Sequence, residues 1–302
     1  MGHNHLALRR YCEEALEADR RSCYSAGVAD LFQVRRSWVE KMTNDRQLKQ
    51  IGRVADADRF NSEYRPWPIP PSPWRMFQSW RDLLFAHWPV EPAALGHLMP
   101  QSLPAEIFEG TAWVTIAPFW MSGVRIRPFA AVPGLTTFPE LNVRTYVTID
   151  NKPGVFFFSL DAANRVAVEV ARTWYHLPYL MARMSTRRVG ETVHYTSHRT
   201  DRRGKPAELI AEYRPIGPVY RSERGSLDYW LTERYCLYAV DEHEHVYRAE
   251  ITHQPWPLQP AEATFTRNTM LAAHDIELPA HEPVLHFARR LDVRAWQPTR
   301  IE

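Results

Sequence analysis

Lysine is scarce in this 302-residue chain: Lys41, Lys49, Lys152 and Lys205 are the only four, and the remaining members of the 37 Lys and Arg residues are arginines. Lys152 lies in Asn-Lys-Pro-Gly and Lys205 in Arg-Gly-Lys-Pro, both turn contexts, so no lysine is expected on a strand of the main domain. Cysteine is equally sparse. Cys12, Cys23 and Cys236 show neither a C-x-x-C nor a zinc-type spacing, which argues against a disulfide framework. No apolar run reaches about 18 residues, and Met1–Asp19 mixes His, Arg and Glu, so a soluble cytoplasmic protein is expected. A net charge of +2 lacks the concentrated basic face of a nucleic-acid binder, and Arg202-Arg203-Gly204-Lys205 reads as a solvated turn. Gly-x-Ser-x-Gly and glycine-rich phosphate loops are absent, so no nucleotide cofactor is expected. Asp241-Glu-His-Glu-His245 lacks the helical i, i+4 histidine spacing of H-E-x-x-H and reads as a hairpin loop. No metal site is expected.

What the chain does contain divides in two. Leu31, Phe32, Arg35, Trp38, Val39 and Met42 recur at helical spacing, and Leu8, Tyr11, Ala15 and Leu16 do so more weakly, which predicts a helical extension over residues 1–63. Residues 64–73, with Pro-Trp-Pro-Ile-Pro-Pro-Ser-Pro, favour an extended connector. Residues 74–302 form the main domain. Short helices are expected over 73–85 and 89–98, and a longer one over 162–174. Strands are expected over 111–118, 123–129, 141–150, 155–160, 191–200, 207–215, 234–240 and 246–252, from β-branched and aromatic runs punctuated by turn residues. Short turns between neighbours favour antiparallel pairing. The fold class is α+β, mainly antiparallel β, with a large barrel-like sheet and a few helices.

Within it, the segment from Phe138 to Met184 carries the chemistry. Side chains alternate across a strand, so Glu140, Asn142, Arg144 and Tyr146 share one face while Leu141, Val143, Thr145 and Val147 share the other. The first row suits a pocket and the second a packed core. A structural alternative stands beside this reading, because Glu and Arg on one strand face also form plain ion pairs.

The strings Glu140-Leu-Asn-Val-Arg-Thr-Tyr-Val147, Phe157-Phe-Ser-Leu-Asp-Ala162, Ala171-Arg172 with Leu177-Pro178-Tyr179, Leu231-Thr-Glu-Arg-Tyr235 and His253-Gln-Pro-Trp256 resemble the YqjF-like uncharacterised bacterial family. The resemblance runs from about Trp74 to Pro298. It implies the double-layered, cone-like antiparallel β-barrel of acetoacetate decarboxylase for residues 74–302. In those enzymes a Pro-Lys-Lys segment supplies a Schiff-base lysine. Glu140, Asp161 and Arg172 look like the decarboxylases' acidic strand opener, later Asp and following Arg, but Pro178 is followed by Tyr179-Leu180. Neither tyrosine nor arginine can replace a primary amine in an imine, so that mechanism is not expected.

The remaining chemistry is acid–base work on an anion. Glu140, Asp161 and Tyr179 are the candidate catalytic groups, the carboxyls as acid or base and the phenol as an oxyanion donor. Asn142, Arg144, Tyr146, Arg172, Arg234 and His253 are the candidate ligand-binding groups, with the arginines offering planar forks to a carboxylate. Asp161 can equally cap the following helix, Arg172 can close its C-terminus, and Arg234 can pair with Glu233 or Asp228. Two readings remain: a metal-independent lyase, hydratase or isomerase of a small carbonyl or carboxylate compound, and a non-catalytic small-molecule binder using the same cavity. The expected partner is a small-molecule ligand, with a carboxylate as one candidate. Neither nucleic acid nor membrane is expected, and a homo-oligomer is compatible with the extension.

Overall fold

The computed structural model describes residues 64–127 and 136–301, all within one unit, Asn61–Glu302. The expected helical extension over 1–63 lies outside the described residues. Twelve strands follow in chain order: β1 (Met76–Val90), β2 (Ala112–Ile126), β3 (Thr137–Ile149), β4 (Lys152–Ala162), β5 (Tyr179–Val189), β6 (Thr192–Arg199), β7 (Glu208–Pro215), β8 (Cys236–Val240), β9 (Val246–Thr252), β10 (Gln259–Asn268), β11 (Val284–Ala295) and β12 (Thr299–Arg300). Three α-helices interrupt them: α1 (Pro92–Gly96), α2 (Arg165–Tyr175) and α3 (Leu227–Thr232). Among the described residues, no helix is long and apolar enough to cross a membrane.

The hydrogen-bonded order is β12-β9-β8-β4-β3-β2-β1-β11-β10-β7-β6-β5, with two further pairings, β9–β11 and β4–β5. Those two pairings close the sheet twice. The first closes a ring of seven strands, β9-β8-β4-β3-β2-β1-β11, and the second a ring of nine, β4-β3-β2-β1-β11-β10-β7-β6-β5. The rings share the wall β4-β3-β2-β1-β11, whose two faces therefore both look into protein interior. This is why every residue of β3 from Phe138 to Val147 is buried. One face packs Leu84, Ala86, Val114, Ile116, Leu141 and Val143 against β6 and β7 of the larger ring. The opposite face carries Leu83, Phe85 and Phe119 into the smaller one, where they cluster with Ile251 of β9.

Two expectations change, and the mainly antiparallel pairing holds with one exception. Residues 73–85 do not form a helix; from Met76 onward they belong to β1. Trp74, Phe77 and Trp80 recur at intervals of three, which imitates a helical stripe, and the stretch Leu83–Ala86, buried on both faces, has no polar alternation to betray a strand. Residues 111–118 and 123–129 were expected as separate strands; β2 runs through Gly123, whose φ of 64° lets it bend rather than stop. Pairing is also not wholly antiparallel, since β4 runs parallel to both β5 and β8. The β4-to-β5 link is a crossover containing α2, the kind of connection parallel neighbours require.

The proline-rich segment is fastened to the barrel. Arg65 donates to Glu250 Oε2 at 2.6 Å and to the Tyr235 carbonyl at 3.2 Å, and Trp67 Nε1 donates to the same Glu250 oxygen at 2.7 Å. Inside the smaller ring, Gly154 lets β8 approach β4 closely: a Cβ there would lie 2.7 Å from Cys236 Sγ and 2.8 Å from the Cys236 carbonyl oxygen.

Candidate functional site

The smaller ring encloses a cavity of about 110 Å³. Its aromatic and aliphatic lining comes from β1, β4, β9, the end of α2 and the segment around Trp256. Its polar lining is short: Glu140, Asn142, Arg144, Tyr179, Arg234 and His253 are all present, with Gln78, Tyr175 and Thr232 added. Alternation along β3 delivers the first three, because Glu140, Asn142 and Arg144 stand opposite Phe119, Ala117 and Thr115 of β2 on the inward face. A bulge in β4 assists. Val143 pairs with Ser159 but Arg144 with Phe157, so Phe158 is extra and both Phe157 and Leu160 line the cavity.

Glu140 is 3% exposed, and its backbone carbonyl is held by the Tyr195 hydroxyl at 2.7 Å. Burial raises its carboxyl from 4.5 to about 8, opposed only by the Tyr179 hydroxyl, which donates to Oε2 at 3.0 Å. Tyr179 itself is held well above the usual phenol range by burial and then by the Glu140 charge, so it remains a neutral donor. Among the described residues Glu140 forms no ion pair.

At the other end of the same strand face, Arg144 donates through Nη2 to the Leu231 carbonyl at 3.4 Å, and its guanidinium lies 4.9 Å from the Phe85 ring centre and 5.8 Å from that of Tyr146. Burial lowers its pKa, yet a guanidinium stays cationic in a protein. Arg234 sits beside it over the Tyr146 and Trp230 rings, at 4.9 and 4.5 Å, bonded to the Trp230 carbonyl and paired with Glu106. Nε of Arg144, Nη2 of Arg234 and Oδ1 of Asn142 are buried without a hydrogen-bond partner in the protein. Unpaired buried polar atoms are costly, and their convergence on one cavity marks where a polar ligand would be held.

Four expected site residues serve otherwise. Asp161 is turned to the opposite face with Leu141 and forms a buried pair with Arg199, at 3.0 and 3.2 Å, inside the larger ring. Arg199 also donates to Ser159 Oγ, which meets His274 Nε2 at 2.9 Å. Burial raises Asp161 to about 6 against the pull of Arg199, and the cap of α2 is Asn164, which accepts from the Ala167 amide. Arg172 donates to the Tyr179 carbonyl at 2.9 Å from the last turn of α2, so it positions Tyr179 rather than gripping a ligand. Tyr146 directs its hydroxyl to Thr115 and His87, at 2.7 and 3.1 Å, and presents its ring to the two arginines. His253 lines the wall with its ring, while Nδ1 and Nε2 face the Gln254 and Arg234 carbonyls at 2.8 and 3.3 Å. Replacing Arg199 with methionine should destabilise the fold by about 3–5 kcal/mol in urea unfolding near neutral pH, because it leaves a buried carboxylate uncompensated. A change within about 0.5 kcal/mol would refute that role.

Sequence reasoning missed Thr232, Trp80 and Phe85, the last two because β1 was read as a helix; the unbroken apolar run Leu83-Leu84-Phe85-Ala86 was the available signal. The two described lysines stand elsewhere. Lys152 opens β4, against the expectation that no lysine stands on a strand; it is paired with Glu250, Lys205 is paired with Asp275, and neither lines the cavity.

A family model for an uncharacterized conserved protein, DUF2071, matches residues 77–292. The chain belongs to that family. It is 46% identical over 228 residues to the uncharacterized protein YqjF of Bacillus subtilis (strain 168), covering 76% of this chain and 93% of that one. Among solved structures, the enduracididine biosynthesis enzyme MppR complexed with pyruvate matches with a TM-score of 0.55 at 12% identity, over 79% of this chain and 93% of its own. An acetoacetate decarboxylase-like enzyme from Sphingomonas wittichii RW1 matches with a TM-score of 0.54 at 12% identity, over 78% and 98%. Acetoacetate decarboxylase from Legionella pneumophila matches at 0.52 and 13%, over 80% and 94%. At these identities the likeness is one of fold, and the fold of this DUF2071 member is the acetoacetate decarboxylase-like β-barrel.

Proposed function

We propose that the protein is a proton-transfer enzyme, of lyase, hydratase or isomerase type, acting on a small carbonyl compound that carries a carboxylate. The observation that carries this reading is Glu140, a buried carboxyl raised to about 8, in one cavity with two guanidiniums that keep unsatisfied donors. An acid–base group works best when both forms are populated at the working pH, and burial places Glu140 there. Arg144 and Arg234 hold the carboxylate, and the neutral Tyr179 hydroxyl donates to a carbonyl or enolate oxygen. A lysine imine is not part of the scheme, since neither described lysine lines the cavity. The neighbour MppR is complexed with pyruvate, which shares with the class proposed only the pairing of a carboxylate with a carbonyl. A purely binding role would be favoured by Glu140 clamped on Arg144; its partner is Tyr179 instead.

Ligand-dependent melting tests the anion clamp. At about one hundred times Kd a small oxo acid should add about 2.7 kcal/mol, a Tm rise of about 5–10 °C for a domain of this size. Arg144→Met should lose most of that rise. An equal rise from the neutral ketone of the same size would sink the clamp.

A further inference from the structure

The cavity is polarised along one strand, and that polarity limits where a ligand can carry its two functional groups. Glu140 and Arg144 share the inward face of β3 four residues apart, so extended geometry separates their Cα atoms by about 13 Å. Their tips do not converge. Arg144 bonds the Leu231 carbonyl, and its guanidinium lies 4.9 Å from the Phe85 ring centre and 5.8 Å from that of Tyr146, the next residue outward on that face. Arg234 reinforces the same end, over the Tyr146 and Trp230 rings. Glu140 is bonded at the far end by Tyr179, and among the described residues no arginine pairs with it. Asn142 lies between them on the strand, with Oδ1 unpartnered.

A carboxylate on the arginines occupies about 4 Å of this interval and a proton donor–acceptor contact at Glu140 about 3 Å more. About 6 Å remains, the span of four or so carbon–carbon bonds. We propose that the substrate is an oxo acid whose carbonyl is remote from its carboxylate, near carbon 5 counted from the carboxylate, rather than a 2-oxo or 3-oxo acid; this rests on the proton-transfer reading above. The carboxylate lies on Arg144 and Arg234, and the Tyr179 hydroxyl turns its single proton from Glu140 Oε2 to the carbonyl oxygen. The carboxylate form of Glu140 takes a proton from the carbon beside that carbonyl. The C–H electron pair moves into the adjacent C–C bond, and the C=O π pair moves onto the oxygen, giving an enolate held by the phenol. Return of a proton from Glu140 to that carbon or to a conjugated one completes an exchange or isomerisation with no other reactant. A 2-oxo acid cannot reach both ends, because its carbonyl is bonded directly to the carboxylate.

Deuterium exchange from D2O tests this with the full chain, followed by proton NMR at the carbons flanking the carbonyl. The probes are pyruvate, 3-oxobutanoate, 4-oxopentanoate, 5-oxohexanoate and 6-oxoheptanoate. Exchange above the enzyme-free rate should peak at 4-oxopentanoate to 6-oxoheptanoate, at least tenfold over pyruvate, and should vanish in Glu140→Gln. Arg144→Met should raise KM for 5-oxohexanoate at least tenfold. Fastest exchange with pyruvate or 3-oxobutanoate would overturn the remote-carbonyl inference and leave the proton-transfer reading standing. Absence of enzyme-dependent exchange from every probe would overturn both.

Discussion

Glu140→Gln is expected to lower kcat by about 10²–10⁴-fold, the range a positioned general acid–base group contributes, while the dissociation constant of the same oxo acid changes less than about threefold. The substitution is nearly isosteric and keeps an oxygen that can accept from Tyr179, so the hydrogen bond and the packing against Phe119 survive. What disappears is the ability to take and return a proton. The carboxylate-binding end is untouched, since Arg144 and Arg234 lie at the opposite end of the cavity. Steady-state kinetics with calorimetric titration of both proteins decides the matter. Parallel losses of turnover and binding would show that Glu140 holds the cavity's shape and does not transfer protons.

The second large effect is on stability. Glu140 has a folded value of about 8 against an ordinary 4.5, so the native state binds this proton more tightly than the unfolded chain. Its stabilising contribution is complete below about pH 4.5 and is lost as pH rises through 8. At 1.36 kcal/mol per pKa unit the loss sums to about 5 kcal/mol. Glu140→Gln cannot ionise and should lack this slope, becoming the more stable protein at alkaline pH. Asp161, raised from 3.8 to about 6, adds a smaller fall of the same sign at lower pH; it is common to both proteins and cancels in their difference. Urea unfolding at half-unit steps from pH 4.5 to 9 measures that difference. Parallel wild-type and variant curves would mean that the carboxyl titrates normally and is not buried as described.

Much of the site was legible because strand alternation is local. Glu140, Asn142 and Arg144 share a face whatever surrounds them, and the structure places all three on the cavity wall. Tyr146 obeys the same alternation yet lies beyond the cavity, where Thr115 and His87 capture its hydroxyl. Asp161 was misplaced for a comparable reason. It sits beside Ala162, which faces Glu140 across the ladder, but one residue along a strand reverses the face, and Asp161 meets Arg199 in the other ring. The first strand was illegible because Trp74, Phe77 and Trp80 are spaced as on a helix, while its later stretch Leu83–Ala86 is buried on both faces and shows no alternation.

By itself the sequence determined the absence of a lysine after Pro178, the polar row of β3 and the turns that bound its strands, since each depends on neighbours along the chain. Tertiary structure alone decided that the sheet closes twice, through β9–β11 and β4–β5, pairings between residues far apart in the chain. That double closure makes β3 a shared wall with two interiors, and it gives Glu140 a cavity while giving Asp161 an arginine. Local periodicity says which residues share a face; only the long-range closure says what that face meets, and hence which carboxyl is left buried, unpaired and able to hold a proton near neutral pH.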